Sequence, residues 1–166
     1  MNTNVKEILV IGLGLIGSSI AKVSKEKGIK VHGFDIDENS IKHALENNII
    51  DESFASIEEI NNKNLTSYID LIVIAVSPEA TKHIINGVER LWNSDITITD
   101  TASVKAHLLF KNTSNLVLSH PIAGSDKSGV LGVDENLFTG KKTVICLSLI
   151  HISEPTRPRL ISYAVF

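Results

Sequence analysis

Residues 5–17 read Val-Lys-Glu-Ile-Leu-Val-Ile-Gly-Leu-Gly-Leu-Ile-Gly, a β-branched apolar run that ends on glycines at 12, 14 and 17. A G-x-G-x-x-G pattern that closes a strand and opens a helix restricts a chain to very few folds. Gly12 allows the tight turn, Gly14 lets a pyrophosphate approach the backbone, and Gly17 lets helix and strand touch. Leu15 and Ile16 begin the helix, whose free N–H groups and partial positive charge suit phosphate oxygens. The other reading of these glycines is a structural turn in an unrelated α/β protein. The position between a strand and a helix favours the nucleotide site.

The rest of the chain repeats the same alternation. Val5 to Ile11 reads as a buried strand and Leu15 to about Lys27 as a helix, with Ile16, Ile20 and Val23 on one face. Lys30 to Phe34 is a second strand, and Asp37 to Asn47 a helix that Asp37 caps. Phe54 to Ile60 holds a short strand and a helical turn. Ile69 to Val76 is apolar enough for a strand covered on both faces. Ser77-Pro78 opens a helix with core face Ile84, Ile85, Val88, Leu91 and Trp92. Ile96 to Thr99 reads as a strand, Ala102 to Lys111 as a helix, and Leu116 to Leu118 as a strand. A loop from Ser119 to Gly132 and a last strand at Thr143 to Leu147 follow. Successive β-α-β units predict an α/β, Rossmann-type, doubly wound and mostly parallel sheet.

Ligands in such a sheet sit beyond the carboxyl ends of the strands. Asp35 ends the second strand, 21 residues after Gly14, where an acid can hydrogen-bond the adenosine ribose and repel a 2′-phosphate. NAD is therefore expected over NADP; the alternative for Asp35 is a plain residue leading into the helix. Ser77, Ser103 and His120 fall on the same edge. Ser77 reads first as a helix cap, with its backbone lining the cofactor cleft. His120 is held extended by Pro121. An imidazole exchanges protons near neutral pH and can take one from a carbinol hydroxyl as hydride leaves. An ordinary loop histidine is the alternative. No histidine shows metal-ligand spacing, so no metal is expected.

Composition narrows the class further. The 166 residues carry 16 basic and 19 acidic side chains without a basic stripe, which gives nucleic acid or an anionic membrane no electrostatic footing. Cys146 is the single cysteine, so no internal disulfide can form, as suits a reducing cytosol. The N-terminus lacks the order of a signal peptide and the apolar runs are too short to span a bilayer. A cytoplasmic protein is expected.

Three motifs in order, Gly-Leu-Gly-Leu-Ile-Gly (12–17), Asp-Thr-Ala-Ser-Val-Lys (100–105) and His-Pro-Ile-Ala-Gly-Ser-Asp-Lys-Ser-Gly (120–129), resemble the prephenate dehydrogenases of tyrosine biosynthesis. The resemblance covers about residues 5 to 147. It implies that His120 is the catalytic histidine that bonds the substrate's ring hydroxyl. It implies that Ser103 is the serine orienting that histidine and the hydroxyl, and that Asp126 is an acidic residue at the mouth of the substrate site. The alternative for Ser103 is a first-turn helix residue. The implied reaction is NAD-dependent oxidative decarboxylation of prephenate to 4-hydroxyphenylpyruvate, with arogenate as the amino analogue. Two other readings remain open: another two-domain NAD dehydrogenase, of the 3-hydroxyacid or 6-phosphogluconate type, and a non-catalytic NAD-binding module.

Family members continue into an all-helical domain that completes the pocket and forms the homodimer. Here residues 1–147 read as the NAD-binding domain, and 148–166 carry Pro155 and Pro158, which interrupt any helix. That tail resembles the translation of a sequencing adapter and is expected to be non-native, with the helical domain missing; a native extension is the alternative.

Overall fold

The strand β1 (Glu7–Ile11) turns its side chains alternately into two apolar layers, and the architecture follows from that. Ile8 and Val10 pack with Ala21, Val31, Ala44 and Val73 on one side of the sheet. Leu9 and Ile11 pack with Phe34, Ile72, Ile74 and Ile85 on the other. A strand buried on both faces needs helices on both faces. The computed structural model describes residues 5–88, 91, 94–105, 115–146 and 161–165, with only the backbone of 146 and 161–165.

The helix α1 (Leu15–Glu26) leads to β2 (Lys30–Phe34), α2 (Glu38–Glu46), the short β3 (Glu52–Ser53) and α3 (Ile57–Asn62). Then come β4 (Leu71–Ile74), α4 (Pro78–Gly87), β5 (Thr97–Asp100), β6 (Leu116–Pro121), β7 (Lys142–Cys146) and β8 (Ile161–Val165). The sheet runs in the order β3-β2-β1-β4-β5-β6-β7-β8. The pairings from β3 through to β6 are parallel, and β7 and β8 add antiparallel. The predicted doubly wound, mostly parallel sheet is the one observed. The chain reverses its winding direction between β1 and β4, the crevice where such sheets bind ligands. No helix among the described residues is long and apolar enough to cross a membrane.

Three expectations are corrected. The face of α1 turned to the sheet is made of Gly17, Ser18 and Ala21, whereas Ile16, Ile20 and Val23 are only half-buried. Small residues occupy that face because the helix lies in direct contact with the strand ends. β6 runs to Pro121 instead of stopping at Leu118, because β7 pairs with its last residues, Ser119 with Ile145 and His120 with Val144. Residues 101–105 leave β5 as an irregular segment, not as the start of a helix. The Asp100 carboxylate takes the Ala102 N–H at 3.1 Å, a local turn that competes with helix initiation. The remainder of that expected helix, 106–111, and Trp92 lie outside the described residues. The other residues of the α4 core face, Ile84, Ile85, Val88 and Leu91, are buried as expected.

Asp70, at the start of β4, ties that strand to β1 by accepting the Lys6 N–H at 2.7 Å and the Glu7 N–H at 3.1 Å. These two backbone bonds, Lys6 first, hold its carboxyl below the ordinary value of 3.8. A folded-state value below the unfolded one contributes stability that is complete above the unfolded value and lost as pH falls through the folded one. The Asp70→Asn variant should therefore lose stability near neutral pH and show a shallower acid limb below about pH 4 in urea melts. An unchanged acid limb would remove Asp70 from this role.

Candidate nucleotide and catalytic site

Four helices begin on the described part of the chain, and three of them carry a side-chain cap. Asp37 accepts from Asn39 N–H and from the Ser40 hydroxyl, Ser56 from Glu59 N–H, and Ser77 from Ala80 N–H. α1 begins at Gly14 with no side chain to cap it and no acid in its first turn. The N–H groups of Leu15, Ile16 and Gly17 have no acceptor within the helix, as at any helix start. Their partial positive charge is left for an outside anion.

The three glycines differ in what surrounds them. Gly12 has φ +96°, and a Cβ there would stand 2.5 Å from the Ala75 carbonyl oxygen. A Cβ on Gly17 would stand 1.9 Å from the Gly12 carbonyl oxygen. These two positions are closed by contact between α1, β1 and the end of β4. A Cβ on Gly14 would meet nothing within 4 Å. Gly12 and Gly17 are thus required by the fold, whereas the face at Gly14 is bare.

Asp35 lies against this loop. Its Oδ2 accepts the Leu13 N–H at 2.6 Å and its Oδ1 the Asp37 N–H at 2.9 Å, so the carboxylate links the glycine loop to the start of α2. Beside it a cleft of about 910 Å³ opens among the ends of β2 and β3 and helices α3 and α4, lined in part by Phe34, Ile36, Ile57, His83 and Ile84. Ile36 is 91% exposed at its edge. The sequence reading missed this cleft, although an apolar residue directly after the ribose-type acid was a signal for it. Ser77 is the cap of α4, the first of its two expected roles.

His120 is half-buried in β6, on the same carboxyl edge as the glycine loop. Its Nδ1 lies 3.2 Å from the Thr101 carbonyl oxygen, which can only accept, so in the neutral imidazole Nδ1 is the donor and Nε2 has the lone pair. Ser103 is exposed and makes no hydrogen bond to His120; the hydrogen bond of the imidazole is to the Thr101 carbonyl. Asp126 is exposed and accepts from the Ser125 hydroxyl at 3.0 Å. The loop after His120 returns across α1, where the Asp134 N–H bonds the Ser19 hydroxyl at 3.0 Å and Val130 joins the core. This return brings the histidine-bearing segment back to α1.

Two residues of the Asp-Thr-Ala-Ser-Val-Lys motif without an expected role, Asp100 and Lys105, bond to Ser119, the residue before His120. Asp100 is fully buried and pairs with Lys105 at 2.5 Å. A charged residue closing the apolar strand Thr-Ile-Thr-Asp was the available signal.

Comparison with known proteins gives the family. Residues 20–149 match the family model described as prephenate dehydrogenase, nucleotide-binding domain. The chain belongs to the prephenate dehydrogenase family. It is 33% identical over 142 residues to a prephenate dehydrogenase of Lactococcus lactis subsp. cremoris, covering 80% of this chain and 38% of that one. It is 33% identical over 150 residues to one from Bacillus subtilis, covering 83% of this chain and 38% of the other. The chain thus spans well under half the length of these curated relatives. Among solved structures, the prephenate dehydrogenase of A. aeolicus in complex with hydroxyphenyl propionate and NAD+ is similar with a TM-score of 0.78 and 30% identity, over 89% of this chain and 52% of that one.

The glycines supply a test of the family's nucleotide site here. Gly17→Ala should lower stability by about 1–3 kcal/mol through overpacking. Gly14→Ala should melt close to the unaltered protein and lose dinucleotide binding. A Gly14→Ala protein that binds normally in calorimetry would move the phosphate site elsewhere.

Proposed function

We propose that this chain is the NAD-binding part of an enzyme that converts prephenate to 4-hydroxyphenylpyruvate with release of carbon dioxide, a step of tyrosine biosynthesis. The observation that carries the reading is the open, uncapped start of α1 at Gly14 on the same sheet edge as His120 with its free Nε2. The N–H groups of Leu15, Ile16 and Gly17 would hold the pyrophosphate, Asp35 the adenosine ribose, and the cleft lined by Phe34, Ile36 and Ile84 the adenine. The Ser77 backbone would border the cofactor. The carboxylate of Asp35 would repel a 2′-phosphate, which favours NAD over NADP. NAD, when bound, supplies the hydride acceptor.

The work left to the chain is alignment and proton transfer. Nε2 of His120 takes the proton of the ring hydroxyl as hydride leaves the same carbon. The ring carboxylate departs as carbon dioxide, and the proton returns to the oxygen of the phenol. Aromatisation supplies the driving force, so positioning is the main requirement. Ser103, exposed beside this edge, would reach the substrate hydroxyl, and Asp126 would stand at the mouth of the site. The exposed Val104, Ile122 and Leu131 are apolar surface that a helical domain would cover in a homodimeric, cytoplasmic enzyme.

The protein should bind NADH, and NADPH at least about tenfold more weakly, roughly 1.4 kcal/mol. Asp35→Ser should narrow that gap. In the full-length gene product, prephenate should drive NADH formation, and His120→Asn should lower kcat by about 10²–10⁴-fold with NADH affinity unchanged. Equal affinity for NADPH would sink the cofactor assignment. Turnover of 3-hydroxy acids or arogenate, but not prephenate, would sink the substrate.

A further inference from the structure

We propose that Asp100 and Lys105 are positioning residues for His120: the ion pair of the buried Asp100 with the half-buried Lys105 clamps the two backbone segments that hold Nδ1–H on the Thr101 carbonyl. The clamp thereby decides which ring nitrogen is left to take a proton. The proposal rests on the reading of His120 as the base.

The bonds converge on the neighbours of the two residues that matter. Asp100 Oδ2 accepts the Ala102 N–H at 3.1 Å and the Lys105 ammonium at 2.5 Å, and its Oδ1 accepts the Ser119 N–H at 3.3 Å. Lys105 Nζ also donates to the Ser119 carbonyl at 2.6 Å, and the Ser119 hydroxyl donates to the Asp100 carbonyl at 2.8 Å. Thr101 therefore lies between two clamped residues, 100 and 102, and His120 directly follows a third, Ser119. The β6–β7 ladder fixes the backbone of His120 whether or not the clamp exists. Thr101 stands past the end of β5 in an irregular segment, and its own bonds to Ile74 O, from the N–H at 3.0 Å and the hydroxyl at 3.5 Å, anchor the amide and the side chain but not the carbonyl. The orientation of its carbonyl depends on the clamp.

The position is also an unfavourable one for a charge without such a role. β1 and β4 end at the equivalent sheet edge in Ile11 and Ile74, both fully buried. An aspartate there must be desolvated, and apolar residues commonly replace buried ion pairs without loss of stability. The arrangement differs from a hydrolase triad, in which the carboxylate touches the imidazole itself. Here the carboxylate and ammonium act through backbone, and the carbonyl of Thr101 selects the tautomer.

The test is the tautomer of His120, read by long-range ¹H–¹⁵N NMR on the histidine-labelled chain at a pH above the imidazole's titration range. His120→Gln assigns the signal. The unaltered protein should show one form, with the proton on Nδ1. Lys105→Met should lose that single form and give a mixture of both tautomers, while Lys105→Arg should restore it. Amide spectra of β1 and α1 report whether each variant is folded. The double variant Asp100→Asn/Lys105→Met leaves no unpaired buried charge, and should give the same mixture if the single change fails to fold. The proton on Nε2 in the unaltered protein, or one unchanged tautomer in a folded variant without the pair, would overturn the proposal. NADH binding measured on the same samples tests the nucleotide site separately, so a failure of that reading is not confused with a failure of this one.

Discussion

The contact between α1 and the end of β1 leaves no room for a side chain, and much of the molecule is arranged around it. The Gly12 carbonyl lies where a Cβ of residue 17 would have to be, and Ala75 closes the other side of the turn. This contact brings the helix start directly over the sheet edge between β1 and β4. It also requires a helix face of Gly17, Ser18 and Ala21, so the larger Ile16, Ile20 and Val23 are turned partly away. The same turn leaves Gly14 bare and α1 uncapped. The packing requirement and the anion site are thus two consequences of one backbone geometry.

Around that turn, polar groups are spent on holding segments together. Asp35 binds the Leu13 amide and so couples the glycine loop to α2. Asp70 fastens the start of β4 to that of β1. Asp100 joins the end of β5 to β6. Each carboxylate accepts backbone N–H groups that a strand end or loop would otherwise leave unsatisfied. The far side of the sheet adds an antiparallel strand, β7, whose pairing extends β6 through His120. A histidine in a ladder is held more firmly than one in a loop.

Residues 161–165 add to the edge of β7 by backbone bonds, and any extended segment can satisfy such an edge.

The sequence by itself determined the winding of the sheet, because apolar runs of strand length alternate with capped helices and each run must be buried on both sides. It also placed the glycine turn, Asp35 and His120 toward the carboxyl edge of the sheet, since strand ends are legible in one dimension. Only the tertiary structure decided which face of α1 is buried, because that depends on how closely the helix meets β1. It alone decided that His120 sits within a strand, since the partner residues at 144 and 145 are remote in sequence. It alone showed that the His120 ring meets the Thr101 carbonyl and that Asp100 meets Lys105 and Ser119. Those contacts are set by side-chain direction and by the register between segments, and neither is written in the local pattern.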